Sequence, residues 1–106
     1  MNEEMALAAF GALSNRSRLA VVRALVKAGP NGLKAGEIAE ALGSSPSQAS
    51  FHLSTLAESG LIVSQRNAKH IIYRVNFAVF QSVARFLLED CCRGASGPVC
   101  YPVSDC

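Results

Sequence analysis

No stretch of this chain comes near the roughly 18 uninterrupted apolar residues that a membrane-spanning helix requires, because charged side chains break every hydrophobic run. Positive charge is missing from the first residues, which carry Glu3 and Glu4 where a secretory leader is basic. The expectation is a soluble cytoplasmic chain with no membrane partner. Charge is scarce: 17% of residues are charged against 50% hydrophobic, a balance too apolar for disorder and sufficient for one core. The formal net charge is only +2, so the whole chain barely favours an acidic partner. Its distribution says more, since residues 1–75 hold eight basic and five acidic side chains and the remainder two basic and three acidic. Cysteine is missing from the first 90 positions; Cys91, Cys92, Cys100 and Cys106 all fall in the last sixteen. None can staple the core, and a reducing cytosol would keep them as thiols. No internal repeat is present, and a length of 106 residues excludes a multi-domain enzyme.

What the chain does have is a succession of short helical patterns. Met5, Ala6, Leu7, Ala9, Phe10, Ala12 and Leu13 cover most of a helix surface from Glu3 to Leu13, so this helix needs partners on more than one side. Ser14 and Asn15 can cap a second helix, whose Leu19, Val22, Ala24, Leu25 and Val26 recur at mainly three- and four-residue spacings until Gly29-Pro30. Arg16, Arg18, Arg23 and Lys27 decorate it, as a solvated face or, for Arg16 and Arg18, as contacts to a nucleic-acid backbone. A short helix from Lys34 to Leu42 buries Ile38, Ala39 and Leu42 and ends at Gly43, a C-cap glycine. Ser44 to Ser47 make a turn with Pro46 at a fresh helix start, and the next helix runs to about Ser59 over a stripe of Ala49, Leu53 and Leu56. Helix, short turn, helix is the helix-turn-helix pattern, although plain packing units share it.

The following segment narrows the choice. Leu61-Ile62-Val63 and Ile71-Ile72-Tyr73-Arg74-Val75 are β-rich runs on either side of Arg66-Asn67-Ala68-Lys69, which predicts a hairpin. Asn67 is the residue best suited to a positive φ at its tip. A last helix is predicted from near Asn76 to about Cys92, with Phe77, Phe80, Val83, Ala84, Leu87 and Leu88 on its apolar side and Phe86 beside them. The fold class is therefore mainly α with a β-hairpin wing, a winged helix-turn-helix over residues 1–92. Residues 93–106 form a flexible cysteine-containing tail, in which Gly94, Gly97, Pro98 and Pro102 oppose regular structure.

At about 100° per residue, the stripe of Ala49, Leu53 and Leu56 points Ser47, Phe51 and Ser54 outward, with Gln48 and Thr55 flanking them. Glutamine can pair with adenine through two hydrogen bonds, serine can bond a base or a phosphate, and an exposed phenylalanine can touch a thymine methyl. His52 lies nearer the edge, within reach of a phosphate. The candidate DNA-binding residues are Ser47, Gln48, Ser50, Phe51 and His52, joined by Arg66 and Lys69 on the wing, where basic side chains add salt-dependent, sequence-blind affinity. The competing readings are a solvated polar face, a phenylalanine tucked against a neighbour, a structural histidine and a solubilising turn.

The order of elements and several strings resemble the ArsR/SmtB family of bacterial metal-responsive repressors. The matching stretches are Phe10-Gly-Ala-Leu-Ser-Asn-Arg-Ser-Arg-Leu19, Gly36-Glu-Ile-Ala-Glu-Ala-Leu-Gly43, Ser50-Phe-His-Leu53, Leu56-Ala-Glu-Ser-Gly-Leu61 and Ile72-Tyr-Arg74, within roughly residues 6–92. The resemblance implies a homodimer through the first and last helices and an inverted-repeat operator in double-stranded DNA. It implies no enzyme activity and no organic cofactor. One branch of the family holds arsenic on a cysteine pair in the helix before the reading helix, but Leu33-Lys-Ala-Gly-Glu37 has no cysteine. Another holds zinc on the last helix with Asp and His, and this last helix contains no histidine. Phe86-Leu-Leu-Glu-Asp-Cys-Cys92 followed by Cys100 is similar to a third branch, whose arsenite site joins a vicinal cysteine pair to a third downstream.

The resemblance thus implies Cys91, Cys92 and Cys100 as ligands of As(III), or the similar Sb(III), with Cys106 able to replace or assist Cys100. Thiolates are soft ligands that select thiophilic centres, and seven residues between Cys92 and Cys100 are ample for the chain to turn back. Other uses of the thiols stay open. A Cys92–Cys100 disulfide or a persulfide would make a redox-responsive repressor of the same fold. A vicinal disulfide is strained, since adjacent Cα atoms lie about 3.8 Å apart against a usual range of about 4.4 to 6.8 Å. Zinc or cadmium is a further alternative, although zinc ligands usually pair two to four residues apart. A thiol enzyme such as an arsenate reductase is disfavoured, because no Cys-x5-Arg phosphate loop is present.

Overall fold

A computed structural model describes residues 1–89 of the chain. The Asn2 side chain accepts the Met5 N–H at 2.8 Å and opens α1 (Glu3–Leu13), occupying a donor that a helix start leaves without an intrahelical partner. Only the alanine face of α1 is buried, through Ala6, Ala9 and Ala12; Met5, Leu7 and Phe10 stay exposed. Asn15 caps α2 (Arg16–Ala28) as its residue type predicts, accepting the Arg18 N–H. The buried face of α2 differs from the predicted one. Val21, Val22 and Leu25 face the core, whereas Leu19 and Val26 are 47% and 48% exposed. Spacing defines a stripe, but the neighbours α2 meets decide where its centre falls.

After a 3₁₀ turn at Gly29–Asn31, Leu33–Lys34 forms a two-residue strand, β1, that the sequence reading assigns partly to the next helix. α3 (Ala35–Leu42) therefore starts one residue later than predicted; the Lys34 N–H donates to Glu37 Oε1 at 2.8 Å, and Gly43 closes the helix in the left-handed region. Ser45 then caps α4 (Pro46–Glu58) by accepting the Gln48 N–H at 3.2 Å, with Pro46 in the first turn. Removal of that cap should cost about 0.5–2 kcal/mol. Ser45→Ala is accordingly expected to melt several degrees below the parent protein in a thermal circular-dichroism scan, and an unchanged midpoint would count against the cap.

The wing consists of β2 (Ile62–Asn67) and β3 (His70–Val75), antiparallel and in register from Ile62 opposite Val75 to Asn67 opposite His70. β1 pairs with the other edge of β3, giving the sheet order β1-β3-β2. The tip is narrower than predicted. Asn67 stays in the ladder, only Ala68 and Lys69 connect the strands, and the positive φ, 57°, falls on Ala68. A two-residue hairpin loop needs that conformation at a central residue, and Asn67 is not one of them. Arg66 lies within β2, opposite Ile71, and not at the tip.

α5 (Phe77–Leu88) ends with Glu89 at its C-cap, short of the predicted end near Cys92, which lies outside the described residues. Of its predicted apolar side only Val83 is buried; Phe80 and Phe86 are half-buried, and Phe77, Ala84, Leu87 and Leu88 are exposed. The core itself is made by Val21, Leu25, Ile38, Leu53, Leu56, Leu61 and Ile62. It ties α2, α3, α4 and the root of the wing into one body. Among the described residues no helix is long and apolar enough to cross a membrane.

Candidate nucleic-acid interface

The orientation of α4 follows from its three anchors. Ala49, Leu53 and Leu56 are buried as the stripe predicts, which leaves Ser47, Gln48, Ser50, Phe51 and Ser54 exposed. Phe51 is the extreme case at 64%; it is not tucked against a neighbouring helix. Its ring lies 5.7 Å from that of His52 at an interplanar angle of 59°. Four of the five α4 candidates, Ser47, Gln48, Phe51 and His52, line one groove of about 430 Å³ together with Ser17 and Ser44. Ser50 is exposed outside it.

Two of the groove residues escape the sequence reading. Ser17 belongs to the first turn of α2, and Ser44 to the turn that joins α3 to α4. Ser44 Oγ is buried and has no hydrogen-bond partner among the described residues. The only sequence signal for either is its place, next to a helix start on the side of the chain that presents α4.

His52 is half-buried at the groove wall, where Arg18 Nη1 approaches its Nδ1 at 3.4 Å. Arg18 is turned inward, with Nε donating to the Ala12 carbonyl at 2.7 Å. Arg16 is exposed and keeps the role of an available cation.

Arg66 and Lys69 are exposed on the wing, and neither lines the groove. Strand alternation puts Arg66 on the face of the hairpin that carries Ile62 and Val75 nearer its root, and Gln65 and Arg74 on the other. There Arg74 Nε donates to the Pro30 carbonyl at 2.8 Å and Nη1 donates to Gln65 Oε1. Arg74 thus ties the wing to the turn after α2, a structural part that its spacing does not announce. Cys91, Cys92, Cys100 and Cys106 lie outside the described residues; among those described, no group of three or more His, Cys, Asp or Glu is placed to hold a metal.

A family described as "Helix-turn-helix domain" matches residues 13–65, which span α2, α3, α4 and the first four residues of β2. The regulator YgaV of Escherichia coli (strain K12), an HTH-type transcriptional regulator, is 39% identical over 72 residues, 68% of this chain and 71% of YgaV. An ArsR-like transcriptional regulator from Rhodococcus sp. RHA1 superposes with a TM-score of 0.70 at 28% identity, over 81% of this chain and 78% of that one. This chain belongs to the helix-turn-helix transcriptional regulators of the ArsR type. A homodimeric winged helix-turn-helix DNA-binding domain from Mycobacterium bovis shares the fold, with a TM-score of 0.67 at 21% identity over 92% of this chain and 89% of that one.

Membership gives the geometry its sense. In a helix-turn-helix the second helix enters the major groove and its N-terminal residues meet base edges. In the order of elements α4 is the second helix of the pair here, and the exposed residues of its N-terminal half are Ser47, Gln48, Ser50 and Phe51. The chain is accordingly a DNA-binding regulator and not an enzyme.

Proposed function

We propose that this ArsR-type regulator is a cytoplasmic repressor that binds an inverted-repeat operator as a homodimer when empty. It lets go when As(III), or Sb(III), is held by the thiolates of Cys91, Cys92 and Cys100, with Cys106 the alternative third ligand. The observation that carries the DNA half is the exposed polar face of α4, held outward by the buried Ala49, Leu53 and Leu56. The inducer half rests on the sequence, in which every cysteine is confined to the segment after α5. Soft thiolates select thiophilic centres over hard cations. Support for the dimer comes from the apolar side chains that α1 and α5 leave in water, Met5, Leu7 and Phe10 on one and Phe77, Leu87 and Leu88 on the other. The M. bovis domain of the same fold is homodimeric.

Selection from a random duplex pool by the fully reduced protein tests this reading. Recovered duplexes should share two half-sites related by a two-fold axis, with centres about 10–10.5 base pairs apart or a multiple of that; asymmetric single sites would refute the dimer. On the selected duplex the wing and the helix should fail differently. Arg66→Ala and Lys69→Ala should each weaken binding to all sequences alike and lower the slope of log affinity against log salt by about 1. Gln48→Ala should relax preference at one base pair by about 1–3 kcal/mol. A salt slope unchanged in both wing variants would remove the wing from the interface.

A further inference from the structure

Arg18 touches three elements at once. Its backbone N–H is held by Asn15 Oδ1 at 3.1 Å, its Nε donates to the Ala12 carbonyl at 2.7 Å, and its Nη1 reaches His52 Nδ1 at 3.4 Å. Ala12 lies in the last turn of α1, where helical carbonyls lack intrahelical partners, so the bond to Nε satisfies a helix end. A guanidinium only donates and keeps its charge in proteins. The contact with His52 therefore has one sense, with Nδ1 accepting. A neutral imidazole that accepts at Nδ1 carries its proton on Nε2, and that nitrogen has no hydrogen-bond partner among the described residues. His52 stands in the groove beside Ser17, Ser44, Ser47 and Gln48, midway along α4.

We propose that Arg18 is a positioning residue for DNA binding: anchored on the last turn of α1, it holds His52 in the tautomer protonated at Nε2, which donates to a phosphate oxygen of the duplex. Most protein–DNA hydrogen bonds go to phosphate and sugar and fix register. One from the wall of this groove would set the depth at which Ser47, Gln48 and Phe51 meet the bases. The inference rests on α4 being the DNA-reading helix. It also makes the seat of α1 felt at α4, because a shift of the Ala12 carbonyl moves the guanidinium and the ring with it.

Two measurements on the full chain test it. Two-bond ¹⁵N–¹H correlation spectra should show His52 with its proton on Nε2. Arg18→Lys keeps the charge and the aliphatic stem but loses the fork, and the ring should become a mixture of tautomers. On the selected duplex, Arg18→Lys and His52→Ala should each lose about tenfold in affinity. The double variant should be no weaker than either, as expected of residues acting through one contact. A wild-type ring protonated at Nδ1, a tautomer unaltered by Arg18→Lys, Arg18→Lys binding like the parent protein, or losses that add in the double variant would each overturn the proposal. If the parent protein selects no duplex, α4 is not the DNA-reading helix, the proposal falls with that reading, and the ring-nitrogen pattern then reports only how Arg18 holds His52.

Discussion

Replacing Cys91, Cys92 and Cys100 together with serine should leave affinity for the selected duplex unchanged and abolish its loss on addition of arsenite. The parent protein should weaken by about 5- to 150-fold, the range that a coupling free energy of about 1 to 3 kcal/mol supplies. Separation of the two effects is expected because the described residues already contain the whole reading unit, from α2 to the wing, and none of them is a cysteine. Serine keeps the size of the side chain and removes the soft donor that a thiophilic centre requires. A count of free thiols on the reduced parent protein should fall by three per chain with arsenite, with zinc run in parallel as the competing thiophilic ion. Release of the triple variant by arsenite would sink the ligand assignment. Release of the parent protein by peroxide or polysulfide without metalloid would move the signal to thiol oxidation and leave the DNA-reading face as it is.

The second large effect is expected at Gly32. Its φ of 67° and ψ of −170° lie in a region that is essentially reserved for glycine. A Cβ there would run into the Tyr73 carbonyl oxygen and come within 2.9 Å of Arg74 Cγ and Ile72 Cγ2. Two of those neighbours belong to the pairing of β1 with β3, so relief requires the turn to pull away from the wing. Strain and overpacking together put the cost of Gly32→Ala at about 3 kcal/mol or more. For a domain of this size that is a fall in melting temperature on the order of 15 °C. Gly36→Ala is the control, since nothing lies within 4 Å of its Cβ and alanine favours a helix by about 0.8–1.0 kcal/mol over glycine. Equal melting of Gly32→Ala and the parent protein would show that the turn does not depend on its glycine.

Local chemistry explains which parts of the fold can be read from the chain. Asn15, Gly43 and Pro46 act through their own backbone or that of near neighbours, and each stands where its residue type predicts. The same holds for Ala49, Leu53 and Leu56, whose spacing alone defines the inward side of α4. β1 is different. Two residues carry no periodicity, and Leu33 and Lys34 are a strand only because Tyr73 and Ile72 lie opposite them. Val21 replaced Leu19 and Val26 at the core for a similar reason, since the packing partners of α2 are remote in sequence. In the candidate site Ser47, Gln48, Ser50 and Phe51 were legible as one exposed face. The task of Arg18 was not, because it depends on a histidine 34 positions away, and Ser17 and Ser44 join the groove only through the packing of α2 beside α4.

The sheet order gives the wing the mechanics of a cantilever. At Ile72 and Tyr73 the hairpin is three strands wide, with β1 on one side of β3 and β2 on the other, whereas Ile71 and His70 are paired to β2 alone. Arg74, next to the wide part, bolts the root of the hairpin to the Pro30 carbonyl. Bending stiffness therefore falls from root to tip, and compliance is confined to the stretch that carries Arg66 and Lys69. If the wing meets DNA as proposed, those two charges would follow differences in groove width while the clamped root left α4 undisturbed.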